Sequence, residues 1–370
     1  MADASAPAGG YIPGLDGLRA LSVLAVVAGH AGIPRAPASL GVTVFFFISG
    51  FLITGLLLRE AAARCGGFSI TNFYVRRYLR LTPELVLYVA VAAIGSALLF
   101  EPHGLLDLSA ALFYFTNYVD IFSPADPQSP FRLGHLWSLA VEEHFYLTWP
   151  LLLSLCIGHA QRVVALCGTL VLLPILIRTV GLGAGLPLSY ARLASEARVD
   201  SIAFGCLLAT GLHYRRDLVQ AWARRGHLIG LVGALLVALF TFGALIGLRG
   251  EPHEILVYTG QGVGLLMVFA YLYASASGAW LLKLLEWRPL RFIGQVSYGF
   301  YLWHFLILYA LAIAFGRARP EELPLELQLL CTVLGAMLGT LMGWISLKVA
   351  LPPVRRLRQR FGAHLLVQRD

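Results

Sequence analysis

Residues 40–58 read LGVTVFFFISGFLITGLLL, nineteen positions without one charged side chain. A spanning helix needs about 20 predominantly apolar residues. No soluble element of this length is apolar on every face, so this stretch predicts a membrane helix. Similar runs lie on both sides of it. They predict spans at 15–33, 81–100, 146–160, 163–181, 199–213, 228–248, 254–274, 294–315 and 325–350, making ten with 40–58. Segment 101–145 is too polar to span. Its short apolar stretch, 109–119, predicts a re-entrant or interfacial piece.

The composition agrees. Of 370 residues, 58% are apolar and 13% are charged, against about 45–50% and roughly 25% in soluble domains. That excludes an ordinary soluble enzyme and a disordered or fibrous chain. The expected fold class is all-α: a polytopic membrane helical bundle of about ten transmembrane helices. A short tail (1–14) precedes the transmembrane domain (15–350), and a basic tail (351–370) follows it. The first apolar run lacks a basic leader and a cleavage site, so it is expected to stay as a helix rather than be removed.

The formal net charge is +8. The bases cluster in 59–80, 214–227, 275–293 and the tail, which all fall on one side of a ten-span chain. The positive-inside rule puts that side, and both termini, in the cytoplasm. The excess charge is therefore a topology signal and not a nucleic-acid footprint. The expected location is the cell membrane (inner or plasma), with the lipid bilayer as solvent and multiple passes. Homo-oligomer formation stays open. The five cysteines lack metal-ligand spacing, and four of them sit in apolar runs as small core residues. No metal is expected.

Ionisable residues inside spans are costly, so each is a functional hypothesis. In LDGLRALSVLAVVAGH, Arg19 and His30 are eleven residues apart, about three turns and 16 Å of rise on a helix. Both share one face. The plain alternative pairs Asp16 with Arg19 and leaves His30 hydrogen-bonded in the core. In 40–58, Ser49 and Gly50 interrupt the aromatic run. Close backbone packing is the first reading there, and ligand lining by Ser49 the second. In NFYVRRYLRLTPEL, Arg76, Arg77 and Arg80 sit where a cytoplasmic loop enters span three. Guanidinium forks there suit phosphate groups as well as topology.

Segment 134–150, GHLWSLAVEEHFYLTWP, holds His135, Trp137, Ser138, Glu142 and Glu143. His135, Ser138 and Glu142 share a helical face. Two adjacent carboxylates and two histidines exceed what an interfacial aromatic belt requires. Arg198 and Asp200 open span six and could pair locally or contribute to a cavity. Tyr298, Tyr301 and His304 follow one face of span nine. P-loop, zinc-hydrolase and nucleophile-elbow patterns do not occur. On residues alone, a transporter or flippase competes with an enzyme.

The combination resembles the membrane-bound acyltransferase 3 family, which includes O-antigen, exopolysaccharide and macrolide O-acyltransferases. The resemblance runs from Leu15 to the end of span ten. Arg19 and His30 match the family's arginine-ten-residues-histidine signature. FFFISGFLITGLL, RRYLRLTPEL, HLWSLAVEEHFYLTWPLLL and IGQVSYGFYLWHFLI match later motifs in order. The resemblance implies transfer of an acyl group, acetyl being commonest, from acyl-CoA (acetyl-CoA) to a hydroxyl of a sugar-containing acceptor such as a glycan, lipid-linked glycan or glycosylated small molecule. His30 is then the base or acyl relay, with Arg19 and Glu142 as catalytic partners. Arg76, Arg77, Arg80 and Ser49 would hold the donor. His135, Trp137, Glu143, Arg198, Asp200, Tyr298 and His304 would form the acceptor side. The chain ends soon after span ten, so a stand-alone enzyme, or one with a separate partner, is expected instead of a fused hydrolase-like domain.

Overall fold

The computed structural model describes residues 11–64, 66–99, 102–123 and 133–361. Cys65, one of the five cysteines, and most of both tails lie outside the described residues. Every regular element among the described residues is helical. In chain order the α-helices are α1 (Leu15–His30), α2 (Ala38–Ala63), α3 (Ile70–Leu99), α4 (Leu105–Leu112), α5 (Thr116–Phe122), α6 (Trp137–Cys156), α7 (Ala160–Gly183), α8 (Leu188–Leu193) and α9 (Ser195–Tyr214). They continue with α10 (Arg216–Ala223), α11 (His227–Phe242), α12 (Glu251–Ala274), α13 (Ala279–Leu285), α14 (Arg288–Gln295), α15 (Ser297–Ala314), α16 (Leu325–Ala350) and α17 (Pro352–Arg360).

Six helices are long and apolar enough to cross a membrane by length and composition: α2, α3, α7, α12, α15 and α16. The count is seven if α10 and α11, which meet at 86°, form one broken span. This is fewer than the ten expected. The difference has a physical cause. The expected first, fourth and sixth spans coincide with α1, α6 and α9, which carry Asp16, Arg19, Glu142, Glu143, Arg198 and Asp200. At 16 residues α1 is shorter than the counted helices, and α6 and α9 carry charged groups that lower their hydropathy. Buried α2 has 61% of its apolar window inside the protein, whereas α7 and α16 have 22% and 28%. Exposed Leu172, Leu176, Val333 and Met337 on those two helices suit lipid contact.

Several boundaries also differ. The expected loop 59–80 is largely helix, because α3 already begins at Ile70 and carries Arg76, Arg77 and Arg80 on its first turns. The stretch 109–119 falls across two short helices, α4 and α5, and is not one re-entrant piece. Span nine is divided at Val296 into α14 and α15.

α2 packs along α9 at very close range. A Cβ on Gly50 would strike the backbone carbonyl of Ile202, and one on Gly205 would strike that of Phe47. The first reading of Gly50 is therefore correct: it is a close-approach residue. Three of the cysteines, Cys167, Cys206 and Cys331, are fully buried and free, as small core residues should be. α1 lies against α2, α14 and α15, and α15 against α16. This arrangement surrounds one polar interior with α1, α2, α3, α6, α15 and α16.

Candidate active site

The six surrounding helices enclose a cavity of about 880 Å3, near the upper end of the about 300–1,000 Å3 usual for small-molecule sites. Its mouth lies where α2 ends and α3 begins. Arg59, Glu60, Arg64, Arg76 and Arg80 line it there, with Tyr11 beside them. Its floor is formed by Ser49, Ser138, Glu142, Tyr298 and Tyr301, with Arg19 and Ser297 on the wall. The cavity thus gathers nine of the residues singled out by sequence: Arg19, Ser49, Arg76, Arg77, Arg80, Ser138, Glu142, Tyr298 and Tyr301.

The mouth arginines are not equivalent. Arg76 donates from Nη2 to Glu60 Oε2 at 3.1 Å and from Nη1 to the carbonyl of Phe361. Arg77 lies deeper, its guanidinium 3.7 Å from the centre of the Tyr146 ring. Its Nε has no hydrogen-bond partner among the described residues. Arg80 is exposed at the mouth. Glu84, one turn on, is buried within the cavity wall, and its Oε2 also lacks a partner among the described residues. Glu84 follows Pro83 inside RLTPEL. Sequence reasoning passed over it, although a carboxylate in an apolar span is itself a warning of function.

At the floor, Ser49 Oγ donates to Glu142 Oε1 at 2.8 Å. The Tyr146 hydroxyl is 2.9 Å from Ser49 Oγ and 3.1 Å from Glu142 Oε2. Ser49 lines the cavity and sits beside the close-packed Gly50. On the wall, Arg19 donates from Nε to Ser297 Oγ at 3.1 Å. No ion pair joins Arg19 to Asp16 among the described residues, so the plain alternative for Arg19 fails. Tyr298 donates to the carbonyl of Leu81 at 3.0 Å.

His30 is not on the cavity surface. It ends α1, half-buried, with Nδ1 2.9 Å from His304 Nε2. Arg19 and His30 still share one face, as their spacing required. That face meets α15 at two levels, Ser297 and His304. Tyr301 separates the cavity from this histidine. Its hydroxyl accepts from Ser138 Oγ at 2.8 Å and donates to the carbonyl of His135 at 2.9 Å. Its backbone carbonyl accepts from His304 Nδ1. The His135 ring lies 5.3 Å from that of His304, and its Nε2 donates to the carbonyl of Leu302. Tyr301 thus bonds the floor to the histidine cluster. Its place in the i, i+3 series with Tyr298 and His304 was the signal for it.

The other candidates lie outside the cavity lining. Arg198 is buried between aromatic rings, with its guanidinium 3.5 Å from the Tyr258 centroid, 5.3 Å from Phe46 and 5.5 Å from Trp137. It donates to Thr43 Oγ1 and to the carbonyl of Arg192. Asp200 does not pair with it. The Asp200 partner is Arg178 on α7, at 2.8 Å with neither side chain exposed. Thr259 on α12 donates to the same carboxylate oxygen at 2.6 Å. Glu143 is half-buried beside Glu142 and is absent from the cavity lining. No group of three or more His, Cys, Asp or Glu side chains among the described residues is placed to hold a metal ion.

The described residues form a helical bundle with a basic-mouthed internal cavity and a histidine pair beyond its floor. The chain belongs to the acyltransferase 3 family, whose acyltransferase domain matches residues 12–349. It is 31% identical over 313 residues to the peptidoglycan O-acetyltransferase OatA of Listeria monocytogenes, covering 80% of this chain and 49% of that one. It is 30% identical over 319 residues to the O-acetyltransferase OatA of Staphylococcus aureus, covering 80% and 51%. The chain spans about half the length of these curated relatives. No solved structure matches it.

Proposed function

We propose that this protein moves an acetyl group from acetyl-CoA to a hydroxyl of a sugar-containing acceptor. The observation that carries this reading is the arginine-lined cavity with the Ser49–Glu142 pair at its floor, and Tyr301 hydrogen-bonded between Ser138 at that floor and His304 beside His30. The names of the relatives support acetyl as the group and a glycan as the acceptor. Ten helices of sixteen residues or more occur among the described residues. We assign each one crossing of the cell membrane, with both termini and the cavity mouth cytoplasmic. The mouth then faces the compartment that holds acetyl-CoA.

In this reading Arg80 and Arg76 meet the donor phosphates at the mouth, and Arg77 meets them deeper in. Charge-assisted forks give such contacts both strength and geometry. Ser49 and Glu142 line the floor along which the thioester arm passes, with Arg19 on the wall, and the acetyl end reaches past Tyr301 to His30. The acceptor approaches from the opposite side, near His30, His135, Trp137, Glu143 and Arg198. Asp200 contributes by holding Arg178 and hence the packing of α9. Tyr298 belongs to the donor side.

His30 acts as general base. It removes the proton of the acceptor hydroxyl as that oxygen bonds to the thioester carbonyl carbon. The tetrahedral adduct collapses with cleavage of the carbon–sulfur bond. The leaving thiolate takes the proton back from His30, giving the ester and free CoA.

The test is turnover of radiolabelled acetyl-CoA by the protein in nanodiscs, with lysozyme-solubilised peptidoglycan as acceptor probe and base-labile acetate as product. The Arg76→Ala, Arg80→Ala double variant should raise KM for acetyl-CoA by about tenfold or more, the worth of one or two charged hydrogen bonds. Its kcat should stay within about threefold of the parent, because these contacts are uniform binding. Unchanged KM would make both arginines topology anchors only.

A further inference from the structure

The hydrogen bonds around His304 determine where its protons lie, and through it where those of His30 lie. A backbone carbonyl can only accept. The Tyr301 carbonyl is 2.5 Å from His304 Nδ1, so the proton of His304 is on Nδ1. The ring is fully buried. No carboxylate pairs with it among the described residues, and an imidazolium sealed from water without one is strongly disfavoured. His304 is therefore neutral, and its Nε2 carries a lone pair. His30 Nδ1 lies 2.9 Å from that lone pair and must be the donor. The remaining nitrogen of His30, Nε2, is then its basic atom.

We infer that His304 is a positioning residue that fixes the ring tautomer of His30, so that Nδ1 carries the proton and Nε2 is the base. The inference rests on the reading of His30 as general base. It assigns His304 a role different from contact with acceptor. The orienting group in a catalytic triad does the same thing, holding one imidazole nitrogen as donor so that the other is free to take a proton. Here a neutral imidazole replaces the carboxylate, and a helix carbonyl orients it in turn.

Packing supports the geometry. The His30 and His304 rings are nearly parallel, 19° apart, with centroids separated by 5.1 Å. Phe305 packs against both, at 4.7 Å from His30 and 5.2 Å from His304. It also stacks on His135 at 5.0 Å. One aromatic ring thus holds three imidazoles in place. As His30 takes up the acceptor proton, it keeps donating through Nδ1 to a neutral lone pair, so the imidazolium forms without rearranging its neighbour.

The direct test is nitrogen-15 solid-state NMR of histidine-labelled protein in lipid nanodiscs at neutral pH, with His30→Ala used to assign the His30 signals. The expected result is a His30 ring protonated at Nδ1 and bare at Nε2. A ring protonated at Nε2 overturns the inference. Kinetics supply a second arm, in the acetyl-CoA and peptidoglycan-fragment assay. His304→Met keeps the volume and removes the acceptor, and should lower kcat about 100-fold with KM for acetyl-CoA unchanged. His304→Gln puts an oxygen near the place of Nε2 and should recover kcat to within about fivefold of the parent. Equal losses in both variants, or none in either, also overturn it. The base reading fails separately. If His30→Ala keeps its turnover, His30 is not the base, whatever tautomer the spectrum shows.

Discussion

His30→Ala is expected to eliminate acetyl transfer, with turnover falling by at least about 10²–10⁴-fold, the range a positioned general base supplies. The fold should survive. His30 is the last residue of α1, is half-buried, and its Nδ1 lies 2.9 Å from His304 Nε2. Its removal leaves a lone pair on His304 with lost hydrogen bonding of about 1–3 kcal/mol. That is a modest cost for a bundle of this size. The measurement pairs product formation with size-exclusion chromatography of the solubilised protein. A monodisperse variant that retains a tenth or more of parental turnover removes His30 from the chemistry.

Arg178→Met is expected to have the largest effect on stability. Arg178 joins three helices. It donates to the carbonyl of Ala197 and the carboxylate of Asp200 on α9, and to Thr259 Oγ1 and the carbonyl of Ile255 on α12. Removing the cation leaves Asp200 as a buried charge that Ser201 and Thr259 only partly satisfy. Breaking such a pair from one side costs about 3–5 kcal/mol. The thermal midpoint in detergent should drop by several degrees. Arg178→Met with Asp200→Asn should recover much of it, because the uncompensated charge is gone. If the double variant is as unstable as the single one, the carboxylate is not what makes Arg178 necessary.

Local pattern carried much of the architecture. Residues 40–58 could be nothing but an apolar helix, and the eleven-residue interval between Arg19 and His30 required one shared face. Both expectations hold because helix periodicity depends only on neighbours along the chain. Gly50 was legible for the same reason, as a small residue in an otherwise bulky run. What depended on partners distant in sequence was not legible. Arg178 sits near the expected end of its span, where a basic residue looks like an ordinary boundary cation. Only the fold brings it to Asp200. Arg76 resembled its neighbours until the end of α2 placed Glu60 against it. Tyr301 and His304 stood out as polar residues on one face. Their order, with Tyr301 at the cavity floor and His304 beneath His30, required the packing of α15 on α1. Spans four and six look weakly apolar because Glu142, Arg198 and Asp200 are used inside the bundle.

In the proposed reaction donor and acceptor meet from opposite faces, with the cavity mouth between α2 and α3 on one side and His30 on the other. The direct measurement supplies membrane-impermeant radiolabelled acetyl-CoA to one face of sealed, oriented vesicles and the peptidoglycan-fragment acceptor to the other. The account predicts labelled acetate on the acceptor only when acetyl-CoA reaches the face bearing Arg76 and Arg80. Label transferred when acetyl-CoA is confined to the His30 face, or only when both substrates share one face, would contradict it.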